Sequence, residues 1–321
     1  MALTAKQQQL INDMLDTIDG AVTRFDGSIS DLQDAAYLRI ADLINEMDTS
    51  NGSLRNNIRN SKAISSIRGE ILSIILNKKY KSELKDFVKA FDQITGIGHE
   101  YYGTMVKRFS PPAVIEQIKK NSVDFTIDSL TESGLDQALA KPVAKMLNTA
   151  ITSGGSVKQL QDQLKEYMTD TETSPGRLSS YTKGITTDAL NQYNGNYNAT
   201  ISADLGLEWV MYVGSLIKTS RDFCEACIKK KWIHISELPN VVAGNFAEFK
   251  AIKGTINPRT GLPAGMIAGT NASNFIVYRG GYGCGHSGMY VAVQVVPKVV
   301  VLAIPRSRLS KASLDYIDGK S

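Results

Sequence analysis

The chain carries the stretch Arg221-Asp222-Phe223-Cys224-Glu225-Ala226-Cys227 and, further on, the stretch Gly280-Gly281-Tyr282-Gly283-Cys284-Gly285-His286. All three cysteines of the protein and one of its three histidines lie in these two stretches. The C-x-x-C spacing lets two thiolates turn inward on a tight knuckle, and the C-x-H pair lies among glycines, where a backbone bends sharply. Three thiolates and one imidazole predict a closed structural Zn²⁺ site, with the ligands Cys224, Cys227, Cys284 and His286.

Three other interpretations of these cysteines remain open. A C-x-x-C pair can be a redox centre, although no βαβ pattern surrounds it as a thioredoxin-like motif requires. Free cysteines also pack in protein cores as small apolar side chains without any metal. Finally, His234 could replace or join His286 as the imidazole ligand.

The order of the motifs is characteristic as well. A predicted helix carries the pattern T-x-A-x-x-x-Y-N from Thr187 to Asn194, and it is followed by Gly206, a strand and then the two cysteine stretches. This order resembles the phage head morphogenesis family, the Mu F-like minor head proteins, over roughly residues 154–296. Many relatives have an arginine in the second motif where this chain has Gly285, which puts any role of that arginine in doubt.

The resemblance implies a function, a location and partners. It implies a minor capsid protein of a tailed-phage virion, located inside the capsid near the portal and acting in head assembly, genome packaging or ejection. The implied partners are the portal protein and other capsid proteins, with packaged DNA as a further contact. The implied protein is structural and not an enzyme.

Composition sets wider bounds. A chain of 321 residues with 42% hydrophobic and 21% charged residues is typical of a folded protein. Its net charge of +4 permits contact with nucleic acid but does not argue for it. The first residues lack the apolar stretch of a signal peptide, and the longest apolar run, residues 289–304, is too interrupted to span a membrane. An odd cysteine count at metal-like spacing suits folding in a reducing host cytoplasm.

Apolar periodicity predicts helices through the first two thirds of the chain. Stripes at three- and four-residue steps mark residues 10–22, 30–47, 54–76 and 83–94, and Gly96-Ile97-Gly98 is expected to end the last of these. Further helices are expected from Pro111 onwards, over 135–151 with a kink at Pro142, over 157–168 after the capping residue Ser156, and over 178–205. Tyr193 and Tyr197 on the last helix are expected to fill a core.

The C-terminal part is expected to switch to strands. Runs rich in β-branched and aromatic residues predict strands over 207–214, 276–278, 290–296 and 299–304, with a long connection over 235–274 and a turn over 255–261. The expected fold class is α+β: a mostly helical N-terminal region, then a small zinc-stapled domain with a short antiparallel sheet. The expected segments are a partner-binding helical arm or bundle, 1–121, a helical linker, 122–206, and the β-containing domain, 207–321.

Two alternative functions remain beside the structural one. A zinc-dependent hydrolase would keep one open metal position for water, with Asp222 or Glu225 as a nearby base. A zinc-knuckle protein that contacts DNA inside the virion would use Lys229, Lys230, Lys231 and Trp232, because lysines track phosphates and a tryptophan stacks on a base.

Overall fold

The computed structural model describes residues 2–246 and 256–320. Its N-terminal elements are α1 (Ala5–Gly27), α2 (Ser30–Asn45), β1 (Thr49–Ser50), β2 (Ser53–Leu54), α3 (Ile58–Ile75), α4 (Lys78–Gly103), α5 (Val114–Leu130), α6 (Glu132–Leu135), α7 (Lys141–Ser153), α8 (Val157–Met168) and α9 (Arg177–Leu205). The remaining elements are β3 (Trp209–Val213), α10 (Asp222–Lys230), β4 (Trp232–His234), α11 (Leu238–Val242), α12 (Phe275–Tyr278), β5 (Ser287–Val291), α13 (Lys298–Leu302) and α14 (Lys311–Ile317). The fold is α+β, with helices prevailing before residue 206, as predicted.

The chain divides into two compact units, and neither is a continuous segment. The metal-motif unit comprises Met1–Asp19, Ala90–Ser122 and Thr187–Ser321. The helical unit comprises Gly20–Lys89 and Val123–Thr186. All four division points fall inside helices α1, α4, α5 and α9. The expected segments 1–121, 122–206 and 207–321 therefore do not correspond to these units.

Local signals explain most of the helical unit. The side chain of Ser156 accepts a hydrogen bond from the backbone nitrogen of Gln159, so α8 begins at the predicted residue. The apolar side chains of α2 and α3 that the periodicity marks, such as Ile40, Ile67 and Ile71, are buried. Before Pro142 the backbone widens into one π-helical turn, Asp136–Ala140, which accommodates the expected kink. Arg68 Nε donates to Asp136 Oδ1 at 2.8 Å beside that turn.

Helix α4 differs from the expectation. It runs through Gly96 and Gly98 to Gly103 and does not end at the predicted glycine turn. A Cβ atom at Gly98 would lie 2.5 Å from Cε1 of Tyr197, so this glycine permits the close approach of an aromatic ring. Tyr193 and Tyr197 are fully buried, as their spacing predicted.

The apolar stripe of α1 is used inside the chain. Leu10, Ile11, Met14 and Ile18 are all buried, and Leu10 and Ile11 belong to the same core cluster as Tyr101, Trp209 and Val291. The apolar stripe of α1 is therefore no evidence for the partner-binding role that was expected of residues 1–121.

The metal-motif unit contains a three-stranded antiparallel sheet in the order β4-β3-β5. Val210 pairs with Ile233 on one side and with Tyr290 on the other. Strand β3 lies within the predicted strand 207–214, and β5 overlaps the strand expected over 290–296. Strand β4 was not predicted from the sequence.

Two expected strands are helical. Residues 276–278 lie in α12, and the run expected as a strand over 299–304 forms α13 and the turn that follows it. Short apolar runs fit a buried strand and a buried helical turn equally well, and here the tertiary packing decides. The connection over 235–274 contains a 3₁₀ turn, Ile235–Glu237, and α11; residues 247–255, and with them Thr255 of the expected turn, lie outside the described residues.

Among the described residues, none of the helices combines the length and the apolar character that crossing a bilayer requires.

Candidate metal centre

Helix α10 carries both residues of the C-x-x-C pair. The sequence predicted a knuckle here, but Asp222–Lys230 is helical, with acidic residues in its first turn and lysines in its last, the arrangement that the helix dipole favours. Residues three apart on a helix lie on neighbouring turns of the same face. Cys224 and Cys227 are both buried, but their sulfurs are one turn apart along the helix axis.

Cys284 and His286 lie on the glycine-rich loop that leads into β5. Gly281 and Gly283 have φ angles of +95° and +64°, in the left-handed region that side chains disfavour. The backbone nitrogen of Cys284 donates to the carbonyl of Gly281 at 3.1 Å, which closes the turn. The loop thus directs the Cys284 thiol and the His286 ring into the interior.

Three of the four predicted ligands meet. Cys224 Sγ lies 3.9 Å from Cys284 Sγ, and Cys284 Sγ lies 3.6 Å from His286 Nδ1. The three ligand atoms all lie within 4.8 Å of one another, and all three residues are buried. Sulfur and nitrogen ligands placed tetrahedrally around Zn²⁺ are separated by roughly 3.5–3.8 Å. The group therefore has nearly the ligand separations that one tetrahedral ion requires.

Cys227 is not part of this three-atom group. Its side chain is fully buried, and burial raises the pKa of its thiol, with the nearby Cys284 adding to the effect. The fourth predicted ligand is therefore close to the group but does not complete it in this conformation.

The electrostatics of the group favour one thiolate. The hydrogen bond between the two sulfurs lowers the pKa of Cys284 and raises that of Cys224. A hydrogen bond with His286 lowers the pKa of Cys284 further. The thiolate is the form that binds metal, so the hydrogen bonds that lower the pKa of Cys284 favour its ligation of an ion.

The imidazole of His286 is held by packing on Tyr212 and Gly214. Its ring stacks on Tyr212 with centroids 5.8 Å apart, and a Cβ atom at Gly214 would lie 2.8 Å from its Cδ2 atom. Its Nε2 atom is buried and has no hydrogen-bond partner among the described residues. The ring therefore keeps Nδ1 towards Cys284 through contacts and not through a hydrogen bond at Nε2.

Arg221 joins the two motifs. Its guanidinium donates to the carbonyl oxygens of Gly280, at 2.9 Å, and Tyr282, at 2.5 Å. A Cβ atom at Gly280 would lie 2.5 Å from Cys224 Sγ and 2.9 Å from Cys284 Sγ. The arginine of the first motif and the glycine of the second thus bring the two stretches together. By contrast, among the described residues other than its two chain neighbours, no atom lies within 4 Å of a Cβ atom placed at Gly285.

Helix α9 also holds the glycine-rich loop that carries Cys284 and His286. The sequence did not reveal the roles of the residues that do so. Asp188 accepts a hydrogen bond from the backbone nitrogen of Gly283 at 2.8 Å, and burial raises the pKa of its carboxyl group. Asn194 donates to the hydroxyl of Ser287 at 3.1 Å. Asn194 is a specified residue of the T-x-A-x-x-x-Y-N pattern, so the motif was the available signal for it, whereas Asp188 occupies an unspecified position and had no signal of its own.

His234 is engaged elsewhere. Its Nδ1 atom accepts a hydrogen bond from the backbone nitrogen of Ser236 at 3.2 Å, and its Nε2 atom faces Glu208 Oε2 at 3.4 Å. Its ring packs on Trp209 with centroids 4.9 Å apart. His286, and not His234, therefore supplies the imidazole of the three-ligand group.

The residues of the two alternative functions lie outside the buried three-ligand group. Glu225 and Asp222 are exposed on α10 and do not belong to the buried group. The side chain of Lys230 is only 5% exposed, and its ammonium lies 2.9 Å from Glu237, so it does not present its charge to a phosphate. Lys231 lies over the ring of Trp232, with 5.3 Å between Nζ and the centroid, and Lys229 is exposed.

Comparison of the chain with protein-family models, with curated proteins and with solved structures finds no match in any of the three. The resemblance to the head morphogenesis family therefore rests on the two motifs and on their order along the chain.

Proposed function

We propose that the protein is a minor structural protein of a tailed-phage head whose C-terminal part is stapled by one Zn²⁺ ion. The observation that carries the proposal is the buried group of Cys224, Cys284 and His286. Its donor atoms, two sulfurs and one nitrogen, are those that Zn²⁺ prefers, and their separations are near those of a tetrahedral site.

Cys227 is the proposed fourth ligand. It is buried on the next turn of α10 after Cys224, and its thiol is close enough for Cys284 to raise its pKa. A change of its side-chain rotamer and a small shift of α10 would bring the sulfur to the ion. Zinc binding would deprotonate the thiols and release protons, and the positive charge of the ion would offset the cost of burying the thiolates.

The burial of the group favours a structural role. A catalytic zinc site keeps one position open to water, with a carboxylate close by as base. Here all three ligands are buried, and the carboxylate near Cys284, that of Asp188, accepts a hydrogen bond from the backbone nitrogen of Gly283. We therefore assign the ion the task of clamping α10 to the loop before β5, without catalytic turnover.

The assignment to a phage head, inside the capsid near the portal, follows from the resemblance of the motifs. In support, the described part of the chain has the helix with Asn194, the strand β3, the first cysteine stretch and the second in the order that the resemblance implies. The portal protein and other capsid proteins are the proposed partners.

Elemental analysis of the purified, reduced protein tests the metal. We expect about one zinc per chain, lost in Cys284→Ser and weakened in Cys227→Ser. If Cys227→Ser retains zinc with unchanged affinity, the fourth ligand is not Cys227. If the wild-type protein holds no stoichiometric zinc, the metal proposal is wrong.

Mass spectrometry of purified phage particles and of capsid precursors tests the role in the virion. We expect the protein in both, in low copy number relative to the major capsid protein. Its absence from both preparations would contradict the proposed function and leave the metal site as a separate finding.

A further inference from the structure

An apolar groove of about 480 Å³ lies in the metal-motif unit, and none of Cys224, Cys284 and His286 lines it. It is formed at the edge of the sheet, where Met211 of β3 pairs with Trp232 of β4. Most of its lining side chains are apolar or aromatic, among them Leu3, Met211, Trp232, Val295, Val296 and Tyr316, and Gln8 and Lys231 are the polar ones. Its volume and lining are those of grooves that take a ligand or a partner side chain.

Two lysines contact the aromatic side chains of this groove. Lys231 lines the groove, and its ammonium lies 5.3 Å from the centroid of the Trp232 ring. The ammonium of Lys298 lies 5.3 Å from the centroid of the Tyr316 ring, which forms part of the wall. Within the described part of the chain, no acidic residue lines the groove. The groove thus offers apolar depth and two cations beside it.

The backbone conformation of Lys231 also favours a binding site at the groove. Its φ and ψ angles are 63° and −53°, a region that glycine adopts readily and a lysine does not. This conformation is fixed on both sides, because its nitrogen donates to Cys227 and its carbonyl accepts from Tyr212. A long cationic side chain retained in a strained backbone position is a feature that accompanies binding sites.

The surface next to the groove favours a polypeptide over a small molecule. Val299 follows the groove residue Pro297 by two positions, and Val299 and Leu302 are 74% and 63% exposed on the same face of α13. Exposed apolar side chains beside an apolar groove are typical of protein–protein contact sites. A nucleotide base would bring hydrogen-bonding edges into this groove, whose lining offers mainly aliphatic and aromatic groups.

We propose that this groove docks an acidic peptide segment of a partner protein, which inserts one large apolar side chain between Trp232 and Tyr316 and places carboxylates near Lys231 and Lys298. The proposal depends neither on the zinc ion nor on the role in a phage head.

Selection of a random dodecapeptide display library on the full-length protein tests the proposal. The enriched peptides should share a large apolar residue with Asp or Glu within a few positions. Fluorescein-labelled copies should bind the wild type, as measured by anisotropy, and bind the double variant K231A/K298A about tenfold more weakly. The matched control K218A/K311A removes two exposed lysines of the same unit and should bind within twofold of the wild type.

Two further binding experiments test the location of the site and the class of the partner. Val295→Trp fills the groove and should abolish peptide binding in protein whose circular dichroism is unchanged. A fluorescein-labelled oligothymidine should compete poorly with the peptide. The proposal is overturned if the library yields no enriched peptide, if the enriched peptides lack acidic residues, if both double variants bind alike, or if the oligothymidine binds more tightly than the peptide and is lost in K231A/K298A.

Discussion

The two compact units differ in what determines their structure. In the helical unit, apolar stripes and caps within single segments set the helices, as Ser156 does for α8. In the metal-motif unit, the decisive contacts join residues far apart in the chain, such as Arg221 with Gly280 and Asp188 with Gly283. We therefore expect the helical unit to tolerate local changes, whereas the stability of the metal-motif unit should depend on a few close approaches and on the proposed zinc ion.

Metal removal should separate the two units most clearly. A structural zinc ion contributes on the order of 10 kcal/mol to folding. We expect a chelator, or Cys284→Ser, to abolish the hydrogen-exchange protection of β3, α10 and β5. Amides in α2, α3 and α8 should stay protected. Equal loss of protection in both units would refute the comparison.

A single methyl group should have the next largest effect. A Cβ atom at Gly281 would lie 1.9 Å from the carbonyl oxygen of Gly265, and this glycine has a φ angle of +95°. We expect Gly281→Ala to lower the free energy of unfolding by more than about 2 kcal/mol and to weaken zinc binding.

Gly285→Ala is the matched control in the same loop, because no described residue other than its two chain neighbours lies within 4 Å of its added Cβ atom. Its unfolding in urea should differ from the wild type by about 0.5 kcal/mol or less. Equal effects of the two alanines would mean that the loop does not approach Gly265 as described.

The buried carboxylate of Glu208 should give the metal-motif unit a specific acid sensitivity. Burial raises its pKa, but hydrogen bonds from Ser313 and Ser310 outweigh this effect, and the net pKa lies below the ordinary value of 4.5. A lowered folded-state pKa means stability that is complete above pH 4.5 and is lost as the pH falls through the folded-state value. We expect Glu208→Gln to lower the free energy of unfolding by about 1–3 kcal/mol at neutral pH.

The difference between wild type and Glu208→Gln should therefore shrink as the pH falls below 4.5, when both are measured by urea unfolding. The control Glu166→Gln changes an exposed residue of α8 and should have nearly the pH profile of the wild type. A constant difference between wild type and Glu208→Gln across that pH range would contradict the expected titration.

The smallest effect is expected at a helix cap of the helical unit. Ser156→Ala removes the hydrogen bond to the nitrogen of Gln159 and should cost about 1 kcal/mol. The control Ser65→Ala, on the exposed face of α3, should change the free energy of unfolding by about 0.5 kcal/mol or less. Thermal unfolding checks both, and a loss above 3 kcal/mol for Ser156→Ala would show that this unit is not governed by local signals.

The contrast between local signals and long-range contacts also explains which features could be predicted from the sequence. The helices with clear stripes, the strand around Val210 and the grouping of Cys224, Cys284 and His286 were predicted correctly. The predicted end of α4 at residues 96–98 was wrong. Gly98 permits a close contact with Tyr197 inside the helix, which no local pattern reveals. The strand expected over 299–304 was wrong, because β-branched residues that suit a strand also form a short helix when packing requires it.

The sequence also predicted that Cys227 is a metal ligand in the same way as Cys224. On a knuckle both sulfurs would turn to one point, but on α10 the two residues lie one turn apart, and of the two only Cys224 belongs to the three-atom group with Cys284 and His286. Asp188 occupies an unspecified position of a recognised pattern, and its bond to Gly283 spans 95 residues and follows only from the tertiary structure.

The discontinuous metal-motif unit has a consequence for the order of events during synthesis on the ribosome. The helical unit is complete once Thr186 has left the exit tunnel, so it can fold while the rest of the chain is being made. Tyr101, by contrast, must wait for its partner Tyr290, 189 residues later. At roughly 5–20 residues per second this wait lasts on the order of ten seconds or more. During that time the apolar side chains of residues 1–19 and 90–122 lack the partners that residues 187–321 later supply, and exposed apolar surface of this kind favours aggregation.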